Sequence, residues 1–339
     1  AANVTVSSGI ATGAGTLTKD GAGTVTLSGA STYTGATTIN AGVMAAANST
    51  ILGTTAGGVS VTAGAALQLS GGISVGAEAL TLNGTGVSTD GALRNTANDN
   101  TWGGAITLGS TGVRINSDSG TLTLNSGTAI AGSGYNLTLG GSGNVTISSV
   151  VGTGAGALTK DGSGTLTLSG ANTYNGVTTV SAGTLRIGAG GSSGVVAGNI
   201  VNNAAVIVDR STAWSYSGAI SGTGTLTKEA AGSLTLSANT YSGATTINGG
   251  TISIAADSGL GTAPGGATPG HLTINGGTLT ISAGITLAAN RGISLGASHG
   301  TISTTGGTVT YGGVIAGSGN LTKTGANTLT LGGVNTYSG

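Results

Sequence analysis

Residues 154–183 read GAGALTKDGSGTLTLSGANTYNGVTTVSAG, and their pattern decides the fold. Apolar and polar residues alternate in short runs: Leu166-Thr167-Leu168, then Thr178-Thr179-Val180. A period of two over three or four residues marks a half-buried β-strand. Threonine at the outward positions fits, because β-branched side chains suit a pleated surface. Gly, Asp, Asn and Ser break the runs every few residues and supply turns.

The same stretch recurs. Residues 13–42 read GAGTLTKDGAGTVTLSGASTYTGATTINAG, with Val25-Thr26-Leu27 and Thr37-Thr38-Ile39 in the strand positions. Residues 222–250 read GTGTLTKEAAGSLTLSANTYSGATTINGG, and residues 317–339 read GSGNLTKTGANTLTLGGVNTYSG. Each copy carries a marker lysine (Lys19, Lys160, Lys228, Lys323) and a marker tyrosine (Tyr33, Tyr174, Tyr241, Tyr337). The tyrosines lie 141, 67 and 96 residues apart. Taken as about seven, three and five turns, these gaps give about 20 residues per turn, a solenoid period.

The predicted fold is therefore all-β: a right-handed parallel β-helix of roughly 17 coils, each of about 20 residues, continuous over residues 1–339. At about 4.8 Å per coil it would form a rod near 80 Å long. No segment has a helical period. Residues 256–271, ADSGLGTAPGGATPGH, hold both prolines, Pro264 and Pro269. Proline cannot serve a central ladder, so this stretch is expected to protrude as a loop.

Composition agrees with a narrow interior. The chain has 339 residues, of which 70 are Gly, with no Phe, two Trp and seven Tyr. Only 5% of residues are charged, yet mean hydropathy is positive, so the chain can bury Val, Ile, Leu and Ala and is not a disordered polyelectrolyte. The charges balance at nine basic and nine acidic residues with no basic stripe, which argues against nucleic-acid binding. No apolar run reaches the roughly 18 residues of a membrane helix. No signal-peptide pattern is present, so an export signal would have been removed or would lie outside this stretch. Cysteine is absent, which excludes disulfide staples, cysteine-based zinc sites and cysteine catalysis.

The unit G-x-G-x-L-T-K-x-G-x-G-T-L-T-L-S-G-x-N-T-Y-x-G-x-T-T-[IV]-x-x-G closely resembles the passenger-associated transport repeat, also called the autotransporter-associated β-strand repeat. Residues 154–183 match nearly throughout; residues 13–42 depart at Val25 and Ser31; residues 222–250 lose one residue near Ala230; residues 317–339 stop short. The spacer 259–315 also resembles sequence found between such repeats in very large autotransporters. The resemblance implies a Gram-negative type V secretion passenger, displayed outside the cell after export through a C-terminal outer-membrane barrel. Such a barrel would show aromatic girdles, and with nine aromatic residues this stretch is read as passenger alone.

Candidate sites are few. Ser117-Asp118-Ser119-Gly120 has the look of a serine nucleophile's surroundings, but a triad needs a histidine base. His271 and His299 lie far downstream, whereas the passenger proteases of the family place theirs before the serine, so a turn is the better reading. The carboxylates Asp20, Glu78, Asp90, Asp99, Asp118, Asp161, Asp209, Glu229 and Asp257 are too sparse to suggest the paired acids of glycoside hydrolysis. The marker lysines could line an anionic glycan and the tyrosines could stack on sugars. Solvated coil-edge charges and tyrosines packed over turns with hydroxyls in water are the simpler readings. Gly-rich strings match G-x-G-x-x-G without a strand–loop–helix context. The sequon Asn136-Leu137-Thr138 is expected by chance in so Thr-rich a chain. No catalytic, cofactor or metal residue is nominated.

The expected function is a non-enzymatic extracellular fibre or adhesin segment, its repeats aiding export and stepwise folding, with glycans or other cells as possible partners. The alternative is a self-assembling filament, or a giant tandem chain, stacked end to end: placing Ala1 after Gly339 puts Val4 where Ile39, Val180 and Ile247 stand in their repeats. A polysaccharide-active enzyme is a distant third.

Overall fold

The computed structural model describes residues 2–339; Ala1, and with it the expected Gly339–Ala1 junction, lies outside the described residues. The chain divides into two compact units, residues 1–178 and 179–339. Both are parallel β-solenoids of short strands, together about 16 turns of about 21 residues, close to the expected 17 and 20. Two 3₁₀ turns, Val87–Thr89 and Asp257–Leu260, are the only helical elements among the described residues.

Among the described residues of the first unit the strand pairs are parallel, and each strand meets its counterpart one coil on. On one face Met44 pairs with Leu67, Leu67 with Leu93, Leu93 with Ile115 and Ile115 with Leu139. On a second, Leu122 pairs with Val145 and Val145 with Leu166. On a third, Thr37 pairs with Val59 and Val59 with Leu80. The second unit repeats the arrangement, with Ala205 pairing Thr225, Leu226 pairing Thr245, and Ile252 pairing Leu279. Period-two alternation sends one set of side chains inward, so aliphatic columns stack coil upon coil. Leu67, Leu93, Ile115 and Leu139 are all fully buried. Three short faces close on an interior that small aliphatic side chains can fill.

The proline stretch is not one protrusion. Gly259 and Leu260, in the 3₁₀ turn, are buried. Residues 265–269 are exposed. Pro269 falls inside strand Thr268–Ile274, where the register shifts between Thr268 and Leu272 opposite the neighbouring strand Arg291–Leu295. A proline in a ladder is tolerated at such a bulge, where its missing N–H costs no bond.

Candidate functional site: a lysine and tyrosine clasp

The four marker segments share one local structure. A strand containing Leu-Thr-Lys comes first: Leu17–Lys19, Leu158–Lys160, Thr225–Glu229 and Leu321–Thr324. Next comes a turn through a positive-φ residue: Gly21 (φ 73°), Gly162 (72°), Ala230 (42°) or Gly325 (79°). A second strand follows on the next face: Thr24–Leu27, Thr165–Leu168, Ser233–Leu236 and Leu329–Leu331. In the first three segments the tyrosine corner then leads to a Thr-Thr-Ile or Thr-Thr-Val strand. In the first repeat that strand lies on the repeat's own beginning, Lys19 pairing with Ile39. The third repeat does the same, Lys228 pairing with Ile247. The strands Gly42–Ala46 and Thr251–Ile254 then cover the second strands of their own repeats. One repeat is about one and a half coils long and stacks on itself.

Leu17 and Lys19 are two residues apart on one strand, so both point inward. Lys19 is 4% exposed, Lys160 2% and Lys228 1%. This overturns the reading of the marker lysines as solvated coil-edge charges. The ammonium is held by turn carbonyls instead of water. Lys19 Nζ donates to Asp20 O (2.9 Å), Gly21 O (2.6 Å) and, one coil on, Ala41 O (2.9 Å). Lys160 donates to Asp161 O and Gly162 O, both at 2.7 Å. Lys228 donates to Glu229 O and to Ala230 O at 2.7 Å. Burial pulls Lys160 and Lys228 down to about 8, with nearby carboxylates (Asp161; Asp209 and Glu229) acting the other way. Lys323 shows why the rest are buried. Its strand pairs with the preceding coil, Lys323 opposite Ile302, but among the described residues no strand covers its other side; it is exposed and donates to Gly325 O at 2.7 Å.

The tyrosines correct a second expectation. Tyr33, Tyr174 and Tyr241 are fully buried, hydroxyl included. Each hydroxyl pairs with the threonine hydroxyl four residues on: Thr37 at 2.6 Å, Thr178 at 2.9 Å and Thr245 at 2.7 Å. Burial raises all three phenols, Tyr241 to about 12. Tyr337, in the short fourth segment, is half-buried. Twenty residues after Tyr33 and Tyr241 stand Gly53 and Gly261, at φ 80° and 77°. A Cβ on either would lie about 3 Å from the tyrosine ring, so glycine is required where the next coil closes over the corner.

A third clasp member escaped the sequence reading. The corner residue two before the tyrosine ties back to the preceding coil. Asn172 Oδ1 accepts Val151 N–H (2.9 Å), Asn239 accepts Ile220 N–H (2.7 Å) and Asn335 accepts Ile315 N–H (2.9 Å). In the first repeat Ser31 Oγ accepts Ile10 N–H at 3.2 Å. The signal was present as the recurrent Asn-Thr-Tyr.

The remaining candidates are structural in their contacts. Ser117 is fully buried, accepts from Asn95 and donates to Gly120 O. Asp118 and Asp90 pair with Arg94, Asp161 with Arg114, Asp209 and Glu229 with Arg186, and Asp257 with Arg291. Six of the nine acidic residues are thus neutralised by arginine. No cluster of metal-ligating residues occurs among the described residues.

The family model described as passenger-associated-transport-repeat matches residues 17–46, 158–187, 226–254 and 321–339. The chain carries passenger-associated transport repeats. Its transport repeats begin at the first leucine of the Leu-Thr-Lys strand and, in the three longer matches, end with the strand that covers the second strand or occupies its place. The motif boundary is therefore the self-stacking unit, shifted four residues from the frame 13–42. A curated relative, the adhesin BmaC autotransporter of Brucella suis biovar 1 (strain 1330), is 39% identical over 153 aligned residues, covering 39% of this chain and 4% of the relative. The chain thus spans a small fraction of that relative's length. No solved structure matches.

Proposed function

We propose that the chain is a passenger segment of a Gram-negative surface adhesin, non-enzymatic and extracellular, in which each transport repeat is a folding unit that completes itself as it leaves the export pore. The observation that carries this reading is the self-stacking clasp. Within about thirty residues the repeat presents two strands, lays two more on them, and satisfies its buried lysine and tyrosine internally. A solenoid adds coils by nearest-neighbour contact, so a unit that supplies most of its own stacking contacts can begin to order while the remaining chain is still unfolded. Its partner in export is an outer-membrane barrel encoded outside this stretch, as the autotransporter relative suggests. Adhesion comes from long outward rows of Thr, Ser and Asn making many weak contacts together.

The test is surface display. The chain is fused to an autotransporter barrel, and protease-accessible passenger is measured for the parent and for a variant carrying Lys19→Met, Lys160→Met and Lys228→Met. Display should fall several-fold, with stalled intermediates in the periplasm. Equal display and equal protease resistance would remove the export role. Failure of parent-coated beads to bind any cell or matrix surface above control beads would remove the adhesive one.

A further inference from the structure

The second unit contains a buried cationic knot that the repeats do not explain. Arg291, 1% exposed, reaches from its strand into the preceding coil. Its guanidinium donates to Asp257 (Nε–Oδ1 3.2 Å, Nη2–Oδ2 3.0 Å), to Leu260 O (2.9 Å) and to Gly261 O (2.9 Å). A fifth contact runs from Nη1 to His271 Nδ1 at 3.3 Å. His271 is 5% exposed, and its other nitrogen, Nε2, lies 3.2 Å from Ser242 O.

These two contacts fix one protonation state. An arginine N–H only donates, so His271 Nδ1 must accept and carry no proton. A carbonyl only accepts, so Nε2 must carry the ring's proton. The imidazole is held neutral in that tautomer, and a second proton has one place to go: Nδ1, facing the guanidinium. Every charged or titratable group around the ring is accounted for. Arg291 faces it, and Asp257 is the single anion, already engaged by Arg291. Tyr241 and Tyr311 are buried phenols, with Tyr311 Oη donating to Arg291 O at 2.9 Å. Burial pushes His271 down and Arg291 adds to that, consistent with a ring that resists charging.

We propose that Arg291 and His271 form an acid-sensitive clamp that pins the insertion 257–271 to the solenoid at neutral pH and frees it on acidification. Protonation converts a hydrogen bond into two adjacent cations. The knot that holds the 3₁₀ turn Asp257–Leu260 and the carbonyls of Leu260 and Gly261 then loses its geometry. The released segment includes residues 265–269, already exposed in the closed form, so acid would turn an anchored Gly/Pro turn into a mobile loop. A histidine uncharged in the closed state and free to charge in the open one makes closure full above its ordinary value near 6.5 and progressively lost below it. The opening constant should rise by up to roughly tenfold per pH unit below about 6.5 until the closed form itself takes up the proton.

Hydrogen exchange read by mass spectrometry on the whole chain tests this. Protection of the Gly259, Gly261 and Thr262 amides, all hydrogen-bonded in the closed form, is compared at pH 7.5 and 5.5 after correction for intrinsic rates. Protection there should fall by about an order of magnitude while strand Thr278–Ile281 holds, and His271→Gln should abolish the pH response. No fall in the parent, or the same fall in His271→Gln, would overturn the proposal. A second measurement needs no variant: nitrogen NMR of the two histidines. His271 must be the Nε2-protonated neutral tautomer at pH 7.5. An Nδ1-protonated ring, or an imidazolium coexisting with full protection, refutes the clamp.

Discussion

Replacing Lys19 by methionine isolates the clasp. The thioether keeps most of the apolar stem and removes the ammonium. Three carbonyls, of Asp20, Gly21 and Ala41, lose their donor. A buried acceptor left unpaired costs about 1–3 kcal/mol, and charge-assisted bonds lie toward the top of that range. Asp20 and Gly21 sit on an exposed turn where water can replace the lysine, whereas Ala41 is half-buried. Recovering the ammonium's hydration offsets part of the loss. The net expectation is a destabilisation of about 2 kcal/mol, a thirtyfold rise in local opening. Because a repeat array need not unfold in one step, the assay is hydrogen exchange on strands Leu17–Lys19, Thr24–Leu27 and Thr37–Ile39, not a single melting temperature. Lys323→Met is the matched control: Lys323 is exposed with one carbonyl partner, so its loss should cost under about 0.5 kcal/mol. Equal, near-zero effects at the two positions would refute the clasp.

Ala230 stands at φ 42° where the other repeats place glycine, so Ala230→Gly should stabilise the second unit by about 0.5–1 kcal/mol in urea titration, the reverse of the usual glycine penalty. Tyr241→Phe leaves the Thr245 hydroxyl without its 2.7 Å partner and should cost about 1–2 kcal/mol, most of it recovered in Tyr241→Phe/Thr245→Val; an additive double mutant would show that the pair is not coupled. Glu78 is 3% exposed, and burial raises its carboxyl from 4.5 to about 7, partly offset by a bond from the Gly58 N–H. The folded state therefore holds a proton that the unfolded chain gives up, and first-unit stability is full below about pH 4.5 and declines as pH rises through 7. Glu78→Gln should be more stable than the parent at pH 8 by about 2–3 kcal/mol and nearly equal at pH 4, as urea titrations at the two pH values would show.

The solenoid was legible because its two signals are local. Alternation in Thr-Leu-Thr-Leu gives strands, and the gaps between the marker tyrosines give the turn length. The marker lysines were misread although the same alternation answers the question: Leu17 faces inward, so Lys19 two residues on must follow it. Lysine is ordinarily solvated, but here the parity of the strand decides. The tyrosine hydroxyl was assigned to water for the same reason, with its partner Thr37 four residues away already in the motif. Nothing local could foretell the Arg291 knot. Its members Ser242, Asp257, His271 and Arg291 are spread over about 50 residues and meet only because successive coils stack. Pro269 sits at a register shift between Thr268 and Leu272 that accommodates it within the strand.

Burying an ammonium is expensive, and the downward pull on Lys160 and Lys228 reflects that cost. The destabilisation expected for Lys19→Met measures what truncation leaves behind, not a net gain from having the charge there. What the buried lysine supplies is register. Elsewhere in the solenoid, inward columns are aliphatic and nearly interchangeable, so sliding a strand by two residues would replace Leu with Leu or Val and cost little. At a repeat the same slide would leave an ammonium against aliphatic side chains and strand the turn carbonyls without a donor. A one-residue slip would turn it out to solvent and bring Thr18 into the core. The correct register is the single arrangement that satisfies the lysine, the tyrosine–threonine pair and the corner asparagine together. A chain that assembles coil by coil accumulates register errors with length, and a few costly, self-checking units at intervals confine each error to the stretch between them. That accounts for transport repeats that are sparse, widely spaced and largely self-stacking.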